Sequence, residues 1–389
     1  MHIAFVTPEF VTEYGFGGGL GNYLNRFTKE LVKRGHEVEV FVSSYHKAET
    51  IKHEGVLVHR VPHAFRRRAN LPLKLAAKLL GKGNGYDLHV RSWILSHALD
   101  ARHKESPFDV VQCADYLAVG LHVAKRSDRR LVVRCSSAAD LYNAATNNSN
   151  RFEKARERLE IESVRRADRA YAPSRFIAEH LKESHGLDVK VIRPPYAFEV
   201  KQAIHSIDVL PKRFLVHFGQ LSTLKGTDWL IRSLKLAFKT VPDLRVVMVG
   251  VANMSELNGW LAQLGADRSK VLALYPVPKD VLYGVLSKAD ASIIPSRADN
   301  LPNTLLESLM HGLPIIGTNG VSVDELVTHG VNGLLVEMDD DEALCEAIVQ
   351  YWRGDVTLPH RGFLSNCSTT QDFEPKRAVD SFLSFVDEN

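Results

Sequence analysis

A chain of 389 residues is long for one core and suits two domains. With 45% hydrophobic and 24% charged residues it cannot be a disordered or low-complexity protein, and it contains no run of about 18 apolar residues that would cross a membrane as a helix. The net charge of +3 hides a division: residues 1–200 hold 32 Lys and Arg against 23 Asp and Glu, whereas residues 201–389 hold 17 against 23. A basic half joined to an acidic half suggests that the first half meets something anionic. Four cysteines, Cys113, Cys135, Cys345 and Cys367, lack metal-ligand spacing and fit a reducing compartment. The opening Met1-His2-Ile3-Ala4-Phe5-Val6-Thr7-Pro8 reads as a strand without a basic n-region or cleavage site, so the cytoplasm is the expected location.

Taken in order, strands are predicted at His2–Thr7, Glu37–Val42, Val56–Val61, Val110–Cys113, Leu131–Arg134, Ala170–Ala172 and Lys190–Ile192. Helices are predicted over about Leu20–Arg34, Pro72–Leu80, Trp93–His103 and Arg151–Arg166. Arg193-Pro194-Pro195 then halts the pattern, and the stretch to about Pro211 reads as a linker. The alternation restarts at Phe214–Gly219 and continues through strands at Val246–Val249, Val271–Leu274, Ser292–Ile294, Ile315–Ile316 and Leu334–Val336. Phe373 to Asp387 looks helical. Strand and helix alternating throughout means α/β architecture, with two doubly wound parallel sheets.

The most informative stretch is Asp299-Asn300-Leu301-Pro302-Asn303-Thr304-Leu305-Leu306-Glu307, between the apolar strand 291–295 and His311-Gly312-Leu313-Pro314. A strand end, a polar loop and a helix N-terminus together offer free backbone N–H groups and the positive end of a helix dipole, which is an anion site. A carboxylate on either side would repel a phosphate in contact with it and is better used to accept hydrogen bonds from hydroxyls. An anion flanked by hydroxyls describes a nucleotide diphosphate sugar. An ordinary strand–loop–helix unit capped by Asn303 or Thr304 is the plainer alternative.

The pattern resembles the E-x7-E element of the retaining GT-B glycosyltransferases, the large family of group 1 and family 4-like enzymes. Here the first acid is Asp299. The resemblance implies that Asp299 faces the donor sugar, that Glu307 holds the ribose hydroxyls, and that Asn300, Leu301, Pro302, Asn303 and Thr304 lie near the diphosphate. Gly219-Gln220-Leu221-Ser222-Thr223-Leu224-Lys225-Gly226 resembles the family's G-R-x-x-x-x-K-G element, which places Lys225 at the leaving diphosphate. The family's Arg is Gln220 here, so a cation is missing unless Arg297 supplies it. Gly18 and Gly19, in the loop Gly15–Gly21, match a Gly-Gly loop that reaches the donor; G-x-G-x-x-G spacing and a P-loop are both absent. Tyr275-Pro276-Val277-Pro278 is expected to line the base pocket through backbone groups of Val277.

The resemblance further implies an N-terminal acceptor-binding domain (1–198), a nucleotide-sugar domain (199–372) and a last helix (373–389) crossing back to the first, with a cleft between the domains. Where many relatives place a His near the donor sugar, this chain has Arg134-Cys135-Ser136-Ser137-Ala138-Ala139-Asp140, so no catalytic His is assigned. Asp140 is either an acceptor-orienting carboxylate or a cap. Asp339-Asp340-Asp341 looks like a D-x-D metal motif but precedes a helix and reads as its cap, so no metal cofactor is expected.

Gly55 to Tyr86 carries seven basic residues and no acid, and Lys74, Lys78 and Lys82 recur every four positions between leucines. The Arg66–Lys82 stretch is either a basic amphipathic helix for the anionic inner face of a membrane or an ordinary solvated face. Nucleic acid is not an expected partner, for lack of interleaved aromatics. The resulting expectation is a hexosyltransferase that moves a sugar from a UDP-sugar, with UDP-glucose the first choice, to a saccharide or lipid-linked saccharide in polysaccharide or glycoconjugate synthesis. A UDP-sugar epimerase on the same fold and a non-catalytic nucleotide-sugar sensor are the alternatives.

Overall fold

The computed structural model describes residues 1–13, 19–62, 85–196, 209–359 and 371–388. They form two compact units, Met1–Ala197 with Asp372–Asn389, and Phe198–Gln371. The first is built on eight strands: β1 (His2–Thr7), β2 (Glu37–Ser44), β3 (Glu49–His53), β4 (Val56–Pro62), β5 (Val110–Ala114), β6 (Arg130–Arg134), β7 (Arg169–Ala172) and β8 (Lys190–Val191). Their order is β3-β4-β2-β1-β5-β6-β7-β8. Central strands such as β1 and β5 are near-continuous apolar runs buried on both faces, as a parallel sheet covered by helices requires. The helices are α1 (Gly19–Lys33), α2 (Tyr86–Glu105), α3 (Ala139–Thr146), α4 (Arg151–Arg165) and α5 (Arg175–His185). Asn150 and Ser174 cap α4 and α5 by accepting from the amides of Glu153 and Ile177.

Strand β3 is absent from the sequence reading and pairs antiparallel with β4. It is a polar, half-buried edge strand, so it lacks the apolar run that marks its neighbours. Its turn is made by Glu54 and Gly55, both at positive φ (48° and 89°), the geometry of a tight hairpin. The predicted helix Pro72–Leu80, and with it Arg66–Lys82, lies outside the described residues.

The second unit has six parallel strands: β9 (Leu215–Leu221), β10 (Val246–Ala252), β11 (Val271–Leu274), β12 (Ala291–Ile294), β13 (Ile315–Thr318) and β14 (Gly333–Val336). Between them run α6 (Thr227–Thr240), α7 (Met254–Ala262), α8 (Lys279–Leu286) and α9 (Asn303–Met310), and α10 (Asp341–Arg353) follows β14. Trp229, Leu230, Leu234 and Phe238 of α6 and Leu344 and Ile348 of α10 are buried against β9, β10 and β12. The strand order is β11-β10-β9-β12-β13-β14. The chain therefore steps outward from β9 to β11, then returns to the other side of β9. That reversal splays the connections apart and opens a crevice at the carboxyl ends of β9 and β12, the place where doubly wound sheets bind ligands.

The last helix, α11 (Pro375–Asp387), belongs to the first unit. Its Val379, Phe382, Phe385 and Val386 are buried with Ile3, Phe5, Phe27 and Tyr171. The Phe382 ring meets Phe27 edge-on, centroids 5.2 Å apart, and Arg34 donates to the Lys376 carbonyl at 2.6 Å. Among the described residues, no helix is long and apolar enough to cross a membrane.

Candidate active site

Two loops meet at the reversal point of the second unit. The first leaves β9 through Ser222–Gly226 and enters α6; the second leaves β12 through 295–302 and enters α9. Glycine makes this approach possible at two places. Gly226 has φ +70°, and a Cβ there would stand 1.8 Å from the Pro295 carbonyl oxygen. Gly219 has φ +107°, and a Cβ there would stand 2.9 Å from Thr304 Cγ2. The end of β9 and the start of α9 are thus packed backbone against side chain.

Across this junction the Lys225 ammonium binds Asp299 Oδ2. The Asp299 side chain is largely buried, whereas that of Lys225 is one-quarter exposed, at 11% and 25%. Asp299 Oδ1 accepts from the Asn300 amide at 2.9 Å. The Leu301 amide donates to Ser322 Oγ at 3.0 Å, and that hydroxyl donates to the Asp299 carbonyl at 3.1 Å. Leu301 itself sits at φ +59°, a left-handed position that this Ser322 bridge holds in place. The amides of Asn300 and Leu301 are therefore already engaged, by Asp299 and Ser322.

Pro302 stands at the cap position of α9, and no side chain caps the helix. Neither Asn303 nor Thr304 caps it, contrary to the plainer sequence reading: both lie inside the helix. Their amides are among those left unpaired at a helix start. Glu307, one turn on, is buried at 7% exposure yet has Lys279 Nζ at 3.4 Å. Lys279 opens α8, directly after the loop holding half-buried Val277 and exposed Tyr275. Sequence reasoning missed Lys279; its signal was a basic residue opening a helix, where dipole alone disfavours one. Gln220 is exposed near the end of β9. Gly19 is the exposed first residue of α1 in the first unit, while Gly18 lies outside the described residues.

Arg297 does not supply the missing cation. Its guanidinium is buried and forked between Asp228 (2.8 and 2.9 Å) and Asp339 (2.6 Å), and it also donates to the Thr223 carbonyl. Arg232 reaches Asp228 and Asp341. Asp340 caps α10 by accepting from the amides of Glu342 and Ala343. The three consecutive acids are thus divided among a cap and two arginines. In the first unit Asp140 lies in the first turn of α3, and its Oδ2 is shared by His180 Nε2 at 2.9 Å and His185 Nε2 at 2.8 Å. Burial raises this carboxyl, but hydrogen bonds from the two imidazoles outweigh it and hold it below its usual range.

His217, in the middle of β9, was also missed because it sits within an apolar run. Its Nδ1 donates to the Ile293 carbonyl at 3.0 Å and its Nε2 accepts from Thr227 Oγ1 at 2.9 Å, tying β9 to β12 and α6. A carbonyl only accepts, so Nδ1 carries a proton, and burial keeps the ring from taking a second one. Burial pushes it down from 6.5 to about 4, with the Lys225 charge adding in the same sense against the bond to Ile293. The unfolded chain therefore takes up a proton that the fold refuses as pH drops below 6.5. Stability from this group is complete above that value and falls toward pH 4, by roughly 3 kcal/mol in all. Urea unfolding across this window should show a smaller acid loss for His217→Gln than for the native chain; equal losses would contradict the assignment.

Comparison with known proteins assigns both halves of the chain to families. Residues 18–196 match the glycosyl transferase 4-like domain, and residues 212–353 match the glycosyl transferases group 1 family. The chain is 24% identical over 396 aligned residues to a D-inositol 3-phosphate glycosyltransferase of Mycolicibacterium gilvum, covering 95% of this chain and 84% of that one. Its fold is similar to sucrose-phosphate synthase from Thermosynechococcus elongatus, with a TM-score of 0.73, 14% identity and coverage of 99% and 95% of the two chains. It is also similar to the Anabaena protein HepE solved with UDP-glucose, with a TM-score of 0.70, 18% identity and 99% of each chain covered. With 18–196 and 212–353 both matched, this chain belongs to the group 1 glycosyltransferases, with a family 4-like N-terminal domain.

Proposed function

We propose that this enzyme transfers a hexose from a UDP-sugar, UDP-glucose first, to a hydroxyl of a saccharide or lipid-linked saccharide, with retention at the anomeric carbon. The observation that carries this reading is the pairing of Lys225 with Asp299 beside the uncapped start of α9, with Glu307 one turn away. A diphosphate placed there would take the Lys225 ammonium from Asp299 and accept from the amides of Asn303 and Thr304. Asp299 would then accept from a hydroxyl of the donor sugar, and Glu307 from the ribose. Backbone groups at Val277 would approach the base. The acceptor oxygen would bond to the anomeric carbon on the face that UDP leaves, and the departing phosphate oxygen would take its proton. Orientation and charge stabilisation of the diphosphate are the protein's contribution, and no metal is needed for them. The Anabaena structure with UDP-glucose supports the choice of donor. With a lipid-linked acceptor, the basic stretch Arg66–Lys82 would hold the enzyme at the anionic inner face of the membrane.

A thermal-shift panel of nucleotide sugars tests the donor, since a ligand at 100 times its Kd stabilises by about 2.7 kcal/mol. UDP-sugars should raise the melting temperature, and UDP should accumulate only with an added acceptor, unaffected by excess EDTA. Stabilisation by other nucleotide sugars alone would overturn the donor; binding without turnover would make the protein a sensor; rescue of an EDTA-treated enzyme by magnesium or manganese would overturn the metal-free step.

A further inference from the structure

A second cluster of coordinating side chains stands in the first unit, on α3 and α5. Asp140, His180 and His185 each offer one ligand atom, and the three atoms lie within 4.8 Å of one another. Both imidazoles aim Nε2 at the same oxygen, Asp140 Oδ2, at 2.9 and 2.8 Å. The three side chains are 17–25% exposed, so they are held in place by packing yet within reach of solvent. His180 Nδ1 has an outer partner in Ser184 Oγ at 3.4 Å, the kind of contact that orients a ligating imidazole.

We propose that Asp140, His180 and His185 bind one divalent transition-metal ion of the zinc class, pinning α3 to α5. Two imidazoles and one carboxylate suit zinc, whereas calcium and magnesium call for sites made of oxygen. Binding uses the Nε2 lone pairs in place of the N–H bonds that now meet Asp140: each neutral ring then carries its one proton on Nδ1, and a ring that held a second proton gives it to solvent. Ligand bonds of about 2.0–2.2 Å place tetrahedral ligand atoms roughly 3.4 Å apart. The two His–Asp separations must therefore open by about half an ångström, and side-chain torsions of partly exposed residues can supply that. Water completes the coordination. The ion braces two helices of the first unit and takes no part in sugar transfer.

The test uses the full chain after chelator treatment, with zinc chloride followed by calorimetry and cobalt(II) by visible absorption. The native protein should bind one ion per chain. His180→Ala, His185→Ala and Asp140→Asn should each weaken zinc binding tenfold or more and abolish the tetrahedral cobalt spectrum. His89 Nδ1 and His122 Nε2 form another close pair, 3.0 Å apart, and the double variant His89→Ala/His122→Ala should bind like the native chain. All variants are first checked for native circular dichroism. Absence of saturable binding, native affinity in the His185→Ala and His180→Ala variants, or an equal loss in the His89/His122 variant would overturn the site.

Discussion

Lys225→Ala should lower turnover at saturating donor by about 10²-fold or more, the effect of removing one preorganised electrostatic contact from a reaction centre. The expectation rests on position. Lys225 follows the end of β9, its side chain is only one-quarter exposed, and the carboxylate it binds, Asp299, is the one assigned to the sugar. A diphosphate has more charge to offer the ammonium than Asp299 has. Steady-state kinetics with donor above its KM, on protein shown to be folded, measure the effect. Gln220→Arg would restore the family's cation near the end of β9, and donor affinity should hold or improve in that variant. Near-native turnover in Lys225→Ala would mean that the diphosphate is held by other groups.

Glu307→Ala should weaken UDP binding by roughly 1.5–3 kcal/mol, the range for hydrogen bonds to a charged group, or about 10- to 100-fold in Kd. Glu307 is a buried carboxylate whose neighbouring Lys279 is more than half exposed, at 57%. Because the Lys279 ammonium is open to water, removing Glu307 strands no buried charge, so a fold defect should not mask the binding effect. Glu307→Gln keeps one acceptor oxygen and should retain part of the affinity. Titration calorimetry with UDP decides; an unchanged Kd in Glu307→Ala would remove the ribose assignment.

The fold was legible wherever a strand is buried on both faces. β1, β9 and β12 are apolar runs ending in loops, and their order follows from alternation with helices. The edge strand β3 was not legible, because a strand with a wet face and no apolar run leaves no such signature. α5 went unread for a different reason. Its buried residues, Ile177 and Leu181, are four positions apart in a short helix otherwise rich in polar groups. In the candidate site, Asp299, Lys225 and Glu307 stood out because strand end, loop and helix start are adjacent in sequence. Partners brought from afar did not. Arg297 looked like a spare cation until Asp228 and Asp339, 69 and 42 residues away, were seen to hold it. Asp140 likewise gave no hint of the histidines 40 and 45 residues on.

The return of α11 to the first unit bears on how the chain is made. Synthesis releases the N-terminal part first, at about 5–20 residues per second, and domains generally fold in that order. Here the ribosome must build the whole second unit before Phe382 and Phe385 exist to cover Phe27 and Tyr171. For on the order of ten seconds or more, the first unit carries an unfilled aromatic socket. The nascent protein's most exposed stage is therefore late, when the second unit can already be folded and the first still waits for its last piece. A stop codon just ahead of Pro375 would remove α11 and leave the N-terminal unit, not the C-terminal one, incomplete.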